Sequence, residues 1–122
     1  MKLIADLFIA LVALEHVYIL VLEMFLWTRP AGRKAFRMSA AQAEATKIMA
    51  ANQGLYNGFL AAGLFWALIQ PEPAFALQLA VFFLGCVLVA ALYGGMTASR
   101  RILMIQGGPA LIALIFVLLT GL

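Results

Sequence analysis

Four apolar stretches, at about 3–27, 48–70, 75–96 and 102–121, fill most of this 122-residue chain. Each is as long as the roughly 20 residues an α-helix needs to cross a bilayer. With 66% hydrophobic and only 11% charged residues, and a mean hydropathy of +1.08, the chain has too few polar groups to coat a soluble surface; ordinary soluble domains carry about 25% charged residues. The expected fold is therefore all-α: an integral membrane four-helix bundle forming one domain over 1–122.

The punctuation between the runs supports helices. Pro71-Glu72-Pro73 breaks the chain between the second and third runs, and residues 97–101 turn it between the third and fourth. Ser39-Ala40-Ala41-Gln42 reads as a capping box, followed by a strongly helix-forming segment. A helix over about 40–70 extends roughly 45 Å, so its first two turns are expected to stand out of the membrane. Pro109 is expected to kink the fourth helix, and Gly107-Gly108-Pro109 reads as its loosened start.

Charge placement gives the orientation. Arg29, Arg33, Lys34, Arg37 and Lys47 lie between the first two runs, and Arg100 and Arg101 between the last two. The positive-inside rule puts both loops in the cytoplasm of a bacterial inner membrane, with the termini and the Pro71-Glu72-Pro73 turn on the other side. Lys2 is the exception. Lys47, Arg100 and Arg101 are read as anion or lipid-headgroup contacts, and the basic loops as topology determinants rather than a nucleic-acid surface. Residues 1–27 do not read as a cleaved signal peptide, because the apolar stretch is too long and is followed by Thr28-Arg29-Pro30. The lone Cys86 lies in an apolar stretch and reads as a small hydrophobe.

Against this apolar background the first run carries Glu15, His16 and Glu23. An ionised side chain at the bilayer centre costs about 2.5–3.5 kcal/mol on insertion scales, so these groups need partners or a function. His16 and Glu23 are seven apart and share a helix face to within about 20°, whereas Glu15 points about 100° away. The second run carries Asn52, Gln53, Tyr56 and Asn57, along a small-residue ladder of Ala50, Gly54, Gly58 and Ala62. An antiparallel pairing with Trp27 level with Ile48 sets Glu23 level with Asn52, and Tyr18 level with Asn57. Tyr93 and Gln106 fall at a similar depth on the third and fourth runs, so amides and tyrosines are expected to form one layer near the cytoplasmic face. Glu15 and His16 lie deeper.

Glu15, His16 and Glu23 lack a recognisable metal-ligand spacing. No serine lies within a run, and no glycine-rich phosphate loop is present. A carboxylate beside a histidine within a span suits proton relay or cation coordination. A structural hydrogen-bond network holding the helices together is the alternative use of the same residues.

The strings Glu15-His16-x-Tyr18-Ile19-x-x-Leu22-Glu23-Met24-Phe25-x-Trp27, Asn52-Gln53-Gly54-x-Tyr56-Asn57-Gly58-Phe59-Leu60-Ala61-Ala62-Gly63-Leu64 and Gln106-Gly107-Gly108-Pro109-Ala110 resemble the bacterial membrane family known as domain of unknown function 1304. The resemblance spans nearly the whole chain and implies no particular activity. In layout the chain is also similar to the MAPEG enzymes (membrane-associated proteins in eicosanoid and glutathione metabolism). These are four-helix trimers whose second helix carries an Arg-x-x-x-Asn-x-x-Glu glutathione signature. Here Lys47 and Asn52 stand in that region with the spacing off by one, and no glutamate follows at the matching place.

Three functions are thus expected in order. The first is a membrane protein binding or translocating a small ligand, proton or cation at an intramembrane polar site. Its residues are Glu15, His16, Tyr18, Glu23, Asn52, Gln53, Tyr56, Asn57, Tyr93 and Gln106, with no metal and no cofactor. The second is a MAPEG-like enzyme using a thiol cofactor, glutathione, on a lipophilic substrate. The third is a structural or partner-binding module. The expected partners are the lipid bilayer and further copies of the chain, a trimer by the MAPEG likeness, with no nucleic acid.

Overall fold

The computed structural model describes residues 1–121, all of whose regular structure is helical. Helix α1 (Lys2–Met24) runs for 23 residues through a segment free of glycine and proline. It stops short of the expected end at about 27, where Leu26 N–H reaches back five residues to the Val21 carbonyl. The chain then turns into a short helix, α2 (Pro30–Phe36), not anticipated from the sequence. Pro30 sits in the first turn, where its fixed φ suits a helix and its missing N–H costs nothing. Gly32 is what lets α2 fold back on the end of α1: a Cβ at that position would lie 2.1 Å from the Leu26 carbonyl oxygen. Arg37 ends α2 in the left-handed region (φ 53°), and its N–H closes on the Arg33 carbonyl.

Helix α3 (Ala40–Ile69) is continuous over 30 residues. It opens with the reciprocal bonds of a capping box: Ser39 N–H donates to Gln42 Oε1 at 3.0 Å, and Gln42 N–H to Ser39 Oγ at 3.1 Å. Helix α4 (Pro73–Thr97) is capped by Glu72, whose two carboxylate oxygens accept from Ala74 N–H and Phe75 N–H. Helix α5 (Arg100–Thr120) starts at Ser99, which accepts from Arg101 N–H. It widens into a π-helical turn at Leu103–Gly107 before continuing as an α-helix. The cause is Pro109: its ring clashes with the carbonyl four residues back, at Ile105, and it has no N–H to offer there. The backbone takes up that misfit by widening one turn.

Helices α1, α4 and α5 are long and apolar enough to cross a membrane. Helix α3, which holds the expected span at about 48–70, is not among them. Asn52, Gln53, Tyr56 and Asn57 fall in its middle and dilute the apolar run.

The chain divides into two compact units. One comprises residues 1–15 and 60–121. Its core gathers Ala5, Ile9 and Val12 from α1, Leu64 and Ala67 from α3, Leu84 and Val87 from α4, and Ala113 and Val117 from α5. Most of these are fully sealed from solvent, and their alanines let the helix backbones approach closely. The other unit, residues 16–59, comprises the end of α1, α2 and the first two-thirds of α3.

Candidate functional site

Within residues 16–59 the end of α1 packs antiparallel on α3. A Cβ built on Gly54 would lie 2.7 Å from Met24 Cγ and 3.0 Å from Glu23 Cβ, and one on Gly58 would lie 2.7 Å from Leu20 Cδ1. Two glycines one turn apart thus set the distance between the helices. The small-residue ladder does not continue to Ala62, which is exposed, whereas Ala61 is buried. A step of four residues overshoots a helical turn by about 40°, so a ladder at that spacing leaves its face after two or three steps.

Glu23 lies in the last turn of α1 and is only 8% exposed. Asn57 of α3 donates from Nδ2 to Glu23 Oε1 at 2.6 Å. The level pairing read from the sequence set Glu23 beside Asn52, but Asn52 instead turns back and donates to the Ile48 carbonyl of its own helix. Side chains on a helix lean toward its N-terminus. On antiparallel helices Glu23 therefore leans toward the Leu20 level and Asn57 toward the Gln53 level, and the two meet between. Asn57 also donates to the Gln53 carbonyl at 3.2 Å.

One turn outward, Trp27 Nε1 donates to Thr46 Oγ1 at 3.0 Å, and Thr46 Oγ1 donates in turn to the Gln42 carbonyl. The indole packs on Phe36 with ring centroids 4.8 Å apart. Thr46 was not among the residues singled out from the sequence; a hydroxyl on the exposed start of a helix carries no signal without its indole partner.

Between these two contacts opens a cleft of about 340 Å³, lined by Glu23, Trp27, Lys47, Ile48, Ala51 and Asn52 together with Met24, Phe25 and Thr28. It brings a nearly buried glutamate and an exposed lysine into one cleft whose lining mixes polar and apolar side chains. Lys47 also pairs with Glu44 one turn back on α3. The ion pairs among the described residues are this one and Lys2–Asp6, and neither engages Glu23.

The remaining residues expected at a site lie elsewhere. His16 is 1% exposed. Glu15 is half-buried, with Oε1 sealed from solvent and lacking a hydrogen-bond partner. Tyr18 and Tyr56 project outward, the latter edge-on to Phe59. Gln53 is exposed and supplies only its backbone carbonyl to Asn57. Tyr93 near the end of α4 is exposed, and Gln106 is half-buried within the π turn of α5; both belong to the first unit, as do the exposed Arg100 and Arg101.

A family model described as "Protein of unknown function (DUF1304)" matches residues 10–118, and the chain belongs to that family. The uncharacterised protein YpaA of Lactococcus lactis subsp. lactis (strain IL1403) is 35% identical over 107 residues, covering 86% of this chain and 88% of that protein. No solved structure matches.

Proposed function

We propose that this member of the family is a four-span membrane protein that binds a small cationic ligand at Glu23, in the cleft between the ends of α1 and α3. The fourth crossing is α3. Its Leu64 and Ala67 share one core with apolar residues of α1, α4 and α5, and its mid-helix amides find partners within the protein, as in Asn57 with Glu23. The basic loops then lie on the cytoplasmic face and the cleft opens toward it.

The observation that carries the ligand site is the state of Glu23. Glu23 is 8% exposed and borders an open cleft, and it receives a neutral amide rather than a protein cation. A carboxylate has about four acceptor positions, and a buried anion without a cation is costly to keep unless something else neutralises it. A cation entering the cleft supplies that charge. Asn57 would hold Glu23 in one orientation, Trp27 would fix the outer wall through Thr46, and the Glu15–His16 region deeper in α1 would serve a proton step if the bound ion moves on.

The test is the melting temperature of the purified full chain in non-ionic detergent with ammonium, sodium or tetramethylammonium chloride at matched ionic strength. Stabilisation by ammonium or sodium over tetramethylammonium, lost in Glu23→Gln, supports the reading. Equal melting temperatures in the three salts would sink it.

A further inference from the structure

The densest run of charge in the chain lies on and beside α2. Arg29, Arg33, Lys34 and Arg37 occupy its N-cap, its body and its C-cap. The ion pairs among the described residues are Lys2–Asp6 and Lys47–Glu44, so no protein carboxylate there neutralises any of these four cations.

Three of the four stand in register. Arg33 N–H donates to the Arg29 carbonyl at 3.0 Å, and Arg37 N–H donates to the Arg33 carbonyl. Successive arginines are therefore one hydrogen-bonded turn apart, about 6 Å along the helix, whereas Lys34 is displaced from Arg33 by about 100° around it. The positive-inside rule counts lysine and arginine alike and asks for no spacing. Topology alone does not account for a row of arginines.

Arg33, at the centre of the row, is half-buried, and its Nε is sealed from solvent without a hydrogen-bond partner. Packing the stem to that depth takes rotamer freedom from the guanidinium before any ligand arrives. Arg29 and Arg37 are exposed on either side. A guanidinium fork matches two phosphate oxygens at once, which an ammonium meets only as a point charge.

The level of the row identifies the source of the phosphate. Helix α2 folds back on the end of α1 at Gly32 and Leu26, and Phe36 packs on Trp27. Helix α1 is long and apolar enough to cross a membrane, so α2 stands where that crossing reaches the surface. Phe25, just past the end of α1, is 67% exposed, and aromatic rings at such a place sit at the boundary of headgroups and acyl chains. A soluble polyanion would meet the arginines and leave Phe25 without an apolar surface.

We infer that α2 is a binding site for the headgroup of an anionic phospholipid, its phosphate held by the Arg33 fork with Arg29 and Arg37 one turn to either side. The site stands apart from Glu23, and neither reading depends on the other.

The experiment measures binding to the purified full chain in non-ionic detergent, read as melting-temperature shift against concentration at fixed ionic strength. The probes are dihexanoyl phosphatidylglycerol, dihexanoyl phosphatidylcholine and glycerol 3-phosphate. The glycerol lipid is expected to bind about tenfold or more tighter than the choline lipid. Arg29→Gln and Arg37→Asn should each weaken the glycerol lipid by about fivefold; asparagine suits the left-handed backbone at position 37. Arg33→Lys keeps the charge and loses the fork, and should also reduce the preference for the glycerol lipid. Lys34→Gln removes one charge from the same helix but off the row, and should leave the preference as it is. Arg29, Lys34 and Arg37 are exposed, so these variants are expected to fold, and their lipid-free melting temperatures check it. Equal binding of the two lipids overturns the inference, as does an unchanged affinity in Arg29→Gln and Arg37→Asn. A loss in Lys34→Gln equal to that in Arg29→Gln also overturns it, because a diffuse basic patch would then account for the binding. Glycerol 3-phosphate binding as tightly as the glycerol lipid overturns the assignment to a membrane lipid.

Discussion

Asn57 donates a 2.6 Å hydrogen bond to Glu23 across 34 residues of sequence, joining α3 to the last turn of α1. Removing one partner should cost more than removing both. Asn57→Ala leaves a nearly buried carboxylate without its donor and should destabilise by about 1–3 kcal/mol. The coupling energy from a double-mutant cycle with Glu23→Ala should be about 0.6 kcal/mol, up to about 1.7, the range found between membrane helices. Reversible unfolding in mixed micelles measures it; strict additivity would mean that the bond contributes nothing.

Gly32→Ala should be the most damaging glycine substitution in residues 16–59. Its Cβ would meet the Leu26 backbone carbonyl, which cannot move without displacing α2. Overpacking of this kind costs about 1–3 kcal/mol or more. Gly54→Ala meets Met24 Cγ, the middle of a flexible side chain, and should cost less. Gly85→Ala meets nothing within 4 Å and should stabilise α4 by about 0.5–1 kcal/mol. Melting temperatures of the three variants should rank in that order.

Ser39→Ala should fray the start of α3. Loss of an N-cap hydroxyl costs about 0.5–2 kcal/mol, and here it also releases Gln42 Oε1 from the Ser39 N–H. Hydrogen exchange should quicken at the amides of residues 40–43 and remain unchanged in α4. Ser39→Asp should retain protection, because a carboxylate caps as well as a hydroxyl.

The fourth crossing is tested by the sidedness of three loops. In a Cys86→Ala background, single cysteines at Lys34, Glu72 and Ser99 all occupy exposed positions. With α3 spanning the membrane, positions 34 and 99 react with a membrane-impermeant thiol reagent from the same side, and position 72 from the other. If only α1, α4 and α5 cross, positions 34 and 72 share a side and 99 lies opposite.

Much of the local structure was legible because its causes are local. The capping box at Ser39 and Gln42 formed where the sequence placed it, and Pro71-Glu72-Pro73 broke the chain where two prolines demanded. The cap that Glu72 makes on α4 was missed, since an acidic residue between prolines reads first as a turn. Helix α2 was missed for a different reason. Its seven residues carry no apolar period, and its place depends on the contact of Gly32 with a carbonyl six residues earlier. The π turn was half visible: Pro109 announced a disturbance in α5, but the backbone took it up one turn upstream of the proline.

The sequence by itself determined a helical chain with long apolar segments and a buried acidic group on the first of them, because hydropathy, capping and proline sterics act over a few residues. Only the tertiary structure decided that Glu23 takes Asn57 rather than Asn52, that Trp27 ties to Thr46, and that a cleft opens between those contacts beside Lys47. Each of those outcomes depends on the lean of side chains on antiparallel helices and on the separation that Gly54 and Gly58 permit. Neither is a property of one segment, so neither could be read from a segment alone.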